Sequence, residues 1–88
     1  MVINITDLKK KIIYRSTYRG TKEMDKLLSH FTKKFINEFN DSELIYLANL
    51  LDLDDENLYN FNQGRKVSIK IEKNKVSELF KNYVYKNE

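Results

Sequence analysis

Met24, Leu27, Leu28, Phe31, Phe35 and Phe39 recur at intervals of three and four, and Ile36 widens the same stripe. That period places them on one face of an α-helix. The spacing predicts a helix from about Lys22 to about Phe39, with Lys26, Ser29, Lys33, Lys34 and Asn37 on its polar face. So long an apolar stripe must be covered by other elements of the chain. The chain has no cysteine, which excludes disulfides and thiolate metal cages, so packing alone must hold it together. The apolar supply is adequate at 41% hydrophobic residues, including five Phe and six Tyr. Proline is absent and there are only two glycines, a composition with few obligatory breaks. The expectation is an all-α fold: a compact small bundle of four to five helices, forming one domain over residues 1–88.

The neighbouring segments agree. Ile5, Leu8, Ile12 and Ile13 sit at helical spacing with Asn4 or Thr6 as candidate N-cap, giving a first helix from about Thr6 to about Ser16. Gly20 interrupts it, and Thr21 can cap the second helix. Asn40 followed by Glu43 reads as a capping box that opens a third helix with Leu44, Leu47, Ala48 and Leu51 inward. Ile45 and Leu50 widen that helix's apolar surface, as suits a central position. After Leu53, an acidic first turn (Asp54, Asp55, Glu56) precedes a short fourth helix carrying Leu58, Tyr59 and Phe61 and ending at Gly64. Val67, Ile69 and Ile71 alternate with polar residues, a strand-like period with no partner strand, and are expected to form an extended connector on the bundle. Val76, Leu79, Phe80 and Tyr83 return to helical spacing.

Charge is segregated along the chain. Residues 1–40 sum to +5, residues 41–64 to −6 and residues 65–88 to +4. A basic first part beside an acidic middle describes a polarised surface suited to protein docking. The basic helix faces also allow an alternative, a small nucleic-acid-binding protein, although no recognition-helix pattern accompanies them. Catalysis is poorly supported: the only histidine, His30, has no partner at ligand or triad spacing, and no phosphate loop or nucleophile elbow occurs. No catalytic residue and no metal ligand set is assigned, and the acids at 52–56 read as helix capping, since a calcium loop's glycine and terminal glutamate are missing. No apolar run is long enough to span a bilayer, and Met1–Ile5 lacks the form of a signal peptide. The expected location is therefore the bacterial cytoplasm, or the mitochondrial matrix if a presequence has been removed.

The stretch from Tyr14 to Asp25 stands out. It holds two of the three arginines, Arg15 and Arg19, and one of the two glycines. Arg19 and Glu23 flank Gly20 in an Arg-Gly-x-x-Glu arrangement that core packing does not require. Arginine's planar fork suits defined contacts, and glycine permits close backbone approach.

Tyr14-Arg15-Ser16, then Arg19-Gly20-Thr21-Lys22-Glu23-Met24-Asp25-Lys26-Leu27-Leu28, resembles the signature of the succinate dehydrogenase assembly factor 2 family, whose members are also called flavinators. The resemblance continues through Asn40-Asp41-Ser42-Glu43-Leu44, Leu50-Leu51-Asp52-Leu53 and Asp55-Glu56-Asn57-Leu58-Tyr59-Asn60-Phe61, and covers about residues 6 to 64. Phe61 stands where relatives often carry Trp, and Asn62 where they carry an apolar residue. The resemblance implies a five-helix fold and a non-enzymatic role: binding the flavoprotein subunit of succinate dehydrogenase, or of fumarate reductase, and promoting its covalent attachment to FAD. It implies that Arg19, Gly20 and Glu23 form the essential contact surface, supported by Tyr14, Arg15, Ser16, Asp55 and Tyr59. It also implies that this chain binds no cofactor stably, because the FAD and its histidine acceptor belong to the client. No nucleic acid and no membrane insertion are implied.

Overall fold

The computed structural model describes residues 4–85, so the reading of Met1–Ile3 lies outside the described residues. Five helices follow one another: α1 (Ile5–Thr17), α2 (Lys22–Phe35), α3 (Asp41–Leu51), α4 (Asp55–Asn62) and α5 (Lys75–Lys81). There is no strand among the described residues.

Four of the five helices begin where a side chain satisfies a free backbone N–H of the first turn. Asn4, rather than Thr6, caps α1 by accepting from the Asp7 amide at 3.2 Å. Thr21 caps α2 through the Met24 amide. Asn40 and Glu43 close the expected capping box on α3, at 2.8 and 2.9 Å. Asp54 is the N-cap residue of α4 but makes no capping bond, because its carboxylate accepts from the Asn57 amide side chain. Gly64 ends α4 with φ +72°, and the Arg65 and Gly64 amides turn back to the carbonyls of Asn60 and Phe61, a Schellman closure.

The second helix is shorter than its apolar stripe. It stops at Phe35, and Ile36–Glu38 tighten into a turn in which the Glu38 amide bonds the Phe35 carbonyl. The turn lets Asn40 adopt the extended backbone of an N-cap, while Phe39 stays buried and stacks on Phe35 with ring centroids 5.9 Å apart. A helical period survives in the sequence because both ends of the turn face the same core.

That core is built from Ile12 of α1, the α2 stripe, Leu44, Leu47, Leu50 and Leu51 of α3, Leu58 of α4, and Val76 and Phe80 of α5. α3 packs against both α1 and α5, as its broad apolar surface anticipates. The radius of gyration is 12.4 Å, close to the roughly 12 Å of a compact chain this long. The 65–74 connector forms no strand and bends at Ser68 and Ile69; the Ser68 amide and hydroxyl both donate to Asn57 Oδ1 at 3.1 Å, and Ile71 packs on the core. Asn62 is buried and its side-chain amide donates to the carbonyls of Phe80 and Tyr83, both at 2.8 Å. A polar residue at this position thus ties α4 to the end of α5.

Candidate functional site

The turn between α1 and α2 is shaped by backbone bonding on both sides. The Tyr18 amide ends α1 on the Tyr14 carbonyl, and the Arg19 amide donates to Asp25 Oδ1 at 2.6 Å. Between that bond and the Thr21 cap the chain must reverse in few residues, and Gly20 does so at φ +111°, a conformation L side chains rarely adopt. A Cβ placed on Gly20 would meet no atom within 4 Å. The glycine is required by the backbone turn, and its face is open.

Arg19 points inward. Its Nη1 donates to the Leu51 carbonyl at 2.7 Å, its Nη2 to the Leu53 carbonyl at 2.6 Å, and its Nε to Asp55 Oδ1 at 2.9 Å. The carbonyl of Leu51 lies at the C-terminal end of α3, where carbonyls lack helical partners and the dipole is negative. Asp55 lies in the first turn of α4. One guanidinium therefore joins the end of α3, the start of α4 and the end of α1, with its side chain only 12% exposed. Arg15 makes a second, more exposed ion pair with Asp52. The acidic middle and the basic first part of the chain meet within the molecule at these two pairs.

The residues expected to form one contact surface are thus divided. Arg15, Arg19 and Asp55 brace the α1–α2 turn against the α3–α4 turn, and Arg19 pairs with Asp55 instead of Glu23. Ser16 is buried, and its hydroxyl donates to the Ile13 carbonyl, so it lies beneath the surface. Gly20 and Glu23 are exposed. Tyr14, 64% exposed, lies against Tyr18, 70% exposed, with ring centroids 4.8 Å apart. Glu23 and Tyr59 are brought together on the wall of one cavity.

Sequence reasoning missed Asp25, Asp52 and Tyr18. Tyr18 follows Tyr14 by four residues, the spacing of neighbours on a helix face, and the +5 beside −6 segregation was the available signal for the ion pairs. His30 is exposed and sits edge-on to the Tyr85 ring at 4.5 Å. Among the described residues no group of three or more His, Asp or Glu side chains converges as a metal site, and no helix is long and apolar enough to cross a membrane.

The family model described as flavinator of succinate dehydrogenase matches residues 10–84. The chain belongs to this flavinator family. Among curated relatives, a mitochondrial succinate dehydrogenase assembly factor 2 of Scheffersomyces stipitis is 47% identical over 49 residues, covering 56% of this chain and 33% of the relative. The protein of the same designation from Meyerozyma guilliermondii is 41% identical over 51 residues, covering 58% of this chain and 38% of its own length. The matched stretch thus spans only 33% and 38% of the two relatives' lengths. No solved structure matches. In this flavinator-family chain the matched interval holds both the turn around Gly20 and the α3–α4 turn that braces it.

Proposed function

We propose that the chain is an assembly factor that binds the flavoprotein subunit of succinate dehydrogenase and promotes the covalent attachment of FAD to it. The observation that carries this reading is the family match across residues 10–84, within which the braced α1–α2 turn lies whole. Gly20 offers bare backbone with open space above it, so a client surface can approach closely. Glu23 supplies an exposed carboxylate beside it, and the Tyr14–Tyr18 pair supplies apolar area at small entropy cost, the usual character of an interface anchor. Arg19 acts as a positioning residue: by joining three helix ends it holds Gly20 and Glu23 in one arrangement.

The factor's contribution is positional. The flavin and its acceptor histidine both belong to the client, and docking holds them in reacting geometry, so no group of this chain need take part in bond formation. The nucleic-acid alternative loses support, since the two arginines of its basic stripe, Arg15 and Arg19, are neutralised by Asp52 and Asp55.

The test is flavin fluorescence of the denatured flavoprotein subunit after co-expression with wild type, with Glu23→Gln, with Gly20→Ala, or with no factor. Wild type should raise covalent flavin, and both variants should fall towards the no-factor level while keeping helical circular dichroism. Gly20→Ala also strains the backbone by about 1–3 kcal/mol, which Glu23→Gln does not. Equal fluorescence in all four arms refutes the assignment.

A further inference from the structure

A cavity of about 680 Å³ opens between α2, α4, α5 and the segment that follows α5. Leu27, Tyr59, Tyr83, Val84 and Tyr85 give it apolar and aromatic walls, and Val84 is 71% exposed there. Lys22 and Lys26 stand on one side and Lys81 on another, against Glu23 as the one acid among the lining residues.

The walls are held in place before anything binds. Both Asn62 amide protons go to the carbonyls of Phe80 and Tyr83, its oxygen accepts from Gln63, and His30 packs on Tyr85. Because both Asn62 amide protons are committed to those carbonyls, Asn62 cannot donate to a small ligand. What the cavity offers a partner is apolar area behind exposed cations.

We propose that this cavity is a docking groove for an acidic peptide segment carrying an aromatic or aliphatic anchor. The anchor enters between Tyr59 and Tyr85, and the flanking carboxylates meet Lys26 and Lys81. A second copy of this chain fits less well, because three of the acids in its 41–64 segment, Glu43, Asp52 and Asp55, are already paired with Lys75, Arg15 and Arg19. Only the owner of the segment, the flavoprotein client, rests on the function proposed above.

The experiment is fluorescence anisotropy of the full chain with a labelled dodecapeptide of Asp and Glu around a central Leu-Phe. Controls replace Leu-Phe by Ser-Ser, or the acids by Lys. Lys26→Glu/Lys81→Glu should weaken binding by about tenfold or more, and Val84→Asp should weaken it too. Lys10→Glu/Lys73→Glu, with the same change in net charge away from the cavity, should leave it unchanged. Absence of binding, equal loss in both double variants, or indifference to the Leu-Phe anchor overturns the groove. Flavin mononucleotide binding more tightly than the peptide makes it a small-anion site instead. A dimer that dissociates in Lys26→Glu/Lys81→Glu assigns it to a second copy. Covalent flavinylation by wild type is scored separately, so peptide binding without flavinylation removes the client assignment and spares the groove.

Discussion

Replacing Arg19 by alanine removes a guanidinium bonded to Asp55 Oδ1 and to the carbonyls of Leu51 and Leu53 at 2.6–2.9 Å, with 12% of its side chain exposed. A hydrogen bond from a charged donor contributes about 1.5–3 kcal/mol when its partner is left unsatisfied. Asp55 is 28% exposed, so in the variant it regains part of its hydration. The expected loss is therefore well below the sum of three bonds, about 2–4 kcal/mol. At about 4–8 °C per kcal/mol for a domain of this size, the midpoint of thermal unfolding should fall by about 8–30 °C. Arg15→Ala is the internal control. Its pair with Asp52 is more exposed, at 34% and 57%, and its loss should cost about 0–1 kcal/mol. Arg19→Lys should lie between, since an ammonium reaches Asp55 or one carbonyl but not the whole fork. Urea unfolding followed by far-ultraviolet circular dichroism measures all three. If Arg19→Ala and Arg15→Ala lose stability equally, the account of Arg19 as the brace of three helix ends is wrong.

Asn62→Leu should destabilise the fold by about 1–3 kcal/mol despite restoring an apolar residue, because the carbonyls of Phe80 and Tyr83 lose their donors; a neutral or stabilising result in the same urea assay counts against the Asn62 tie. Glu43 has its carboxyl held below the ordinary glutamate value, chiefly by its hydrogen bond from the Asn40 amide and further by Lys75. A depressed folded value means the contribution is present above the unfolded value and lost as pH falls through the folded one. Glu43→Gln should therefore show a smaller drop in urea midpoint than wild type as pH is lowered through the acid range, and parallel drops would sink that assignment.

The helices were legible because their causes are local. Asn40 and Glu43 close the capping box that their spacing announces, Thr21 caps α2, and Gly64 takes the positive φ of a helix end. The end of α2 was not legible: Phe35, Ile36 and Phe39 keep a helical period through a tight turn, since burial on one side does not distinguish a continued helix from a turn facing the same core. At the site, Gly20 and Glu23 lie on the surface as expected. Arg19 shows where a motif stops being informative, because Glu23 is near it in sequence while Asp55 and two carbonyls of the α3–α4 turn are near it in space.

By itself, then, the chain's periodicity, caps and glycines determined an all-α bundle of four to five helices and marked the α1–α2 turn. Only tertiary structure decided which arginines face inward, how Ser16 is buried, and how Glu23, Tyr59 and the lysines of α2 and α5 come to share one cavity. Caps and apolar stripes act within a few residues, whereas ion pairs and cavity walls join residues tens of positions apart, whose meeting depends on how the helices pack.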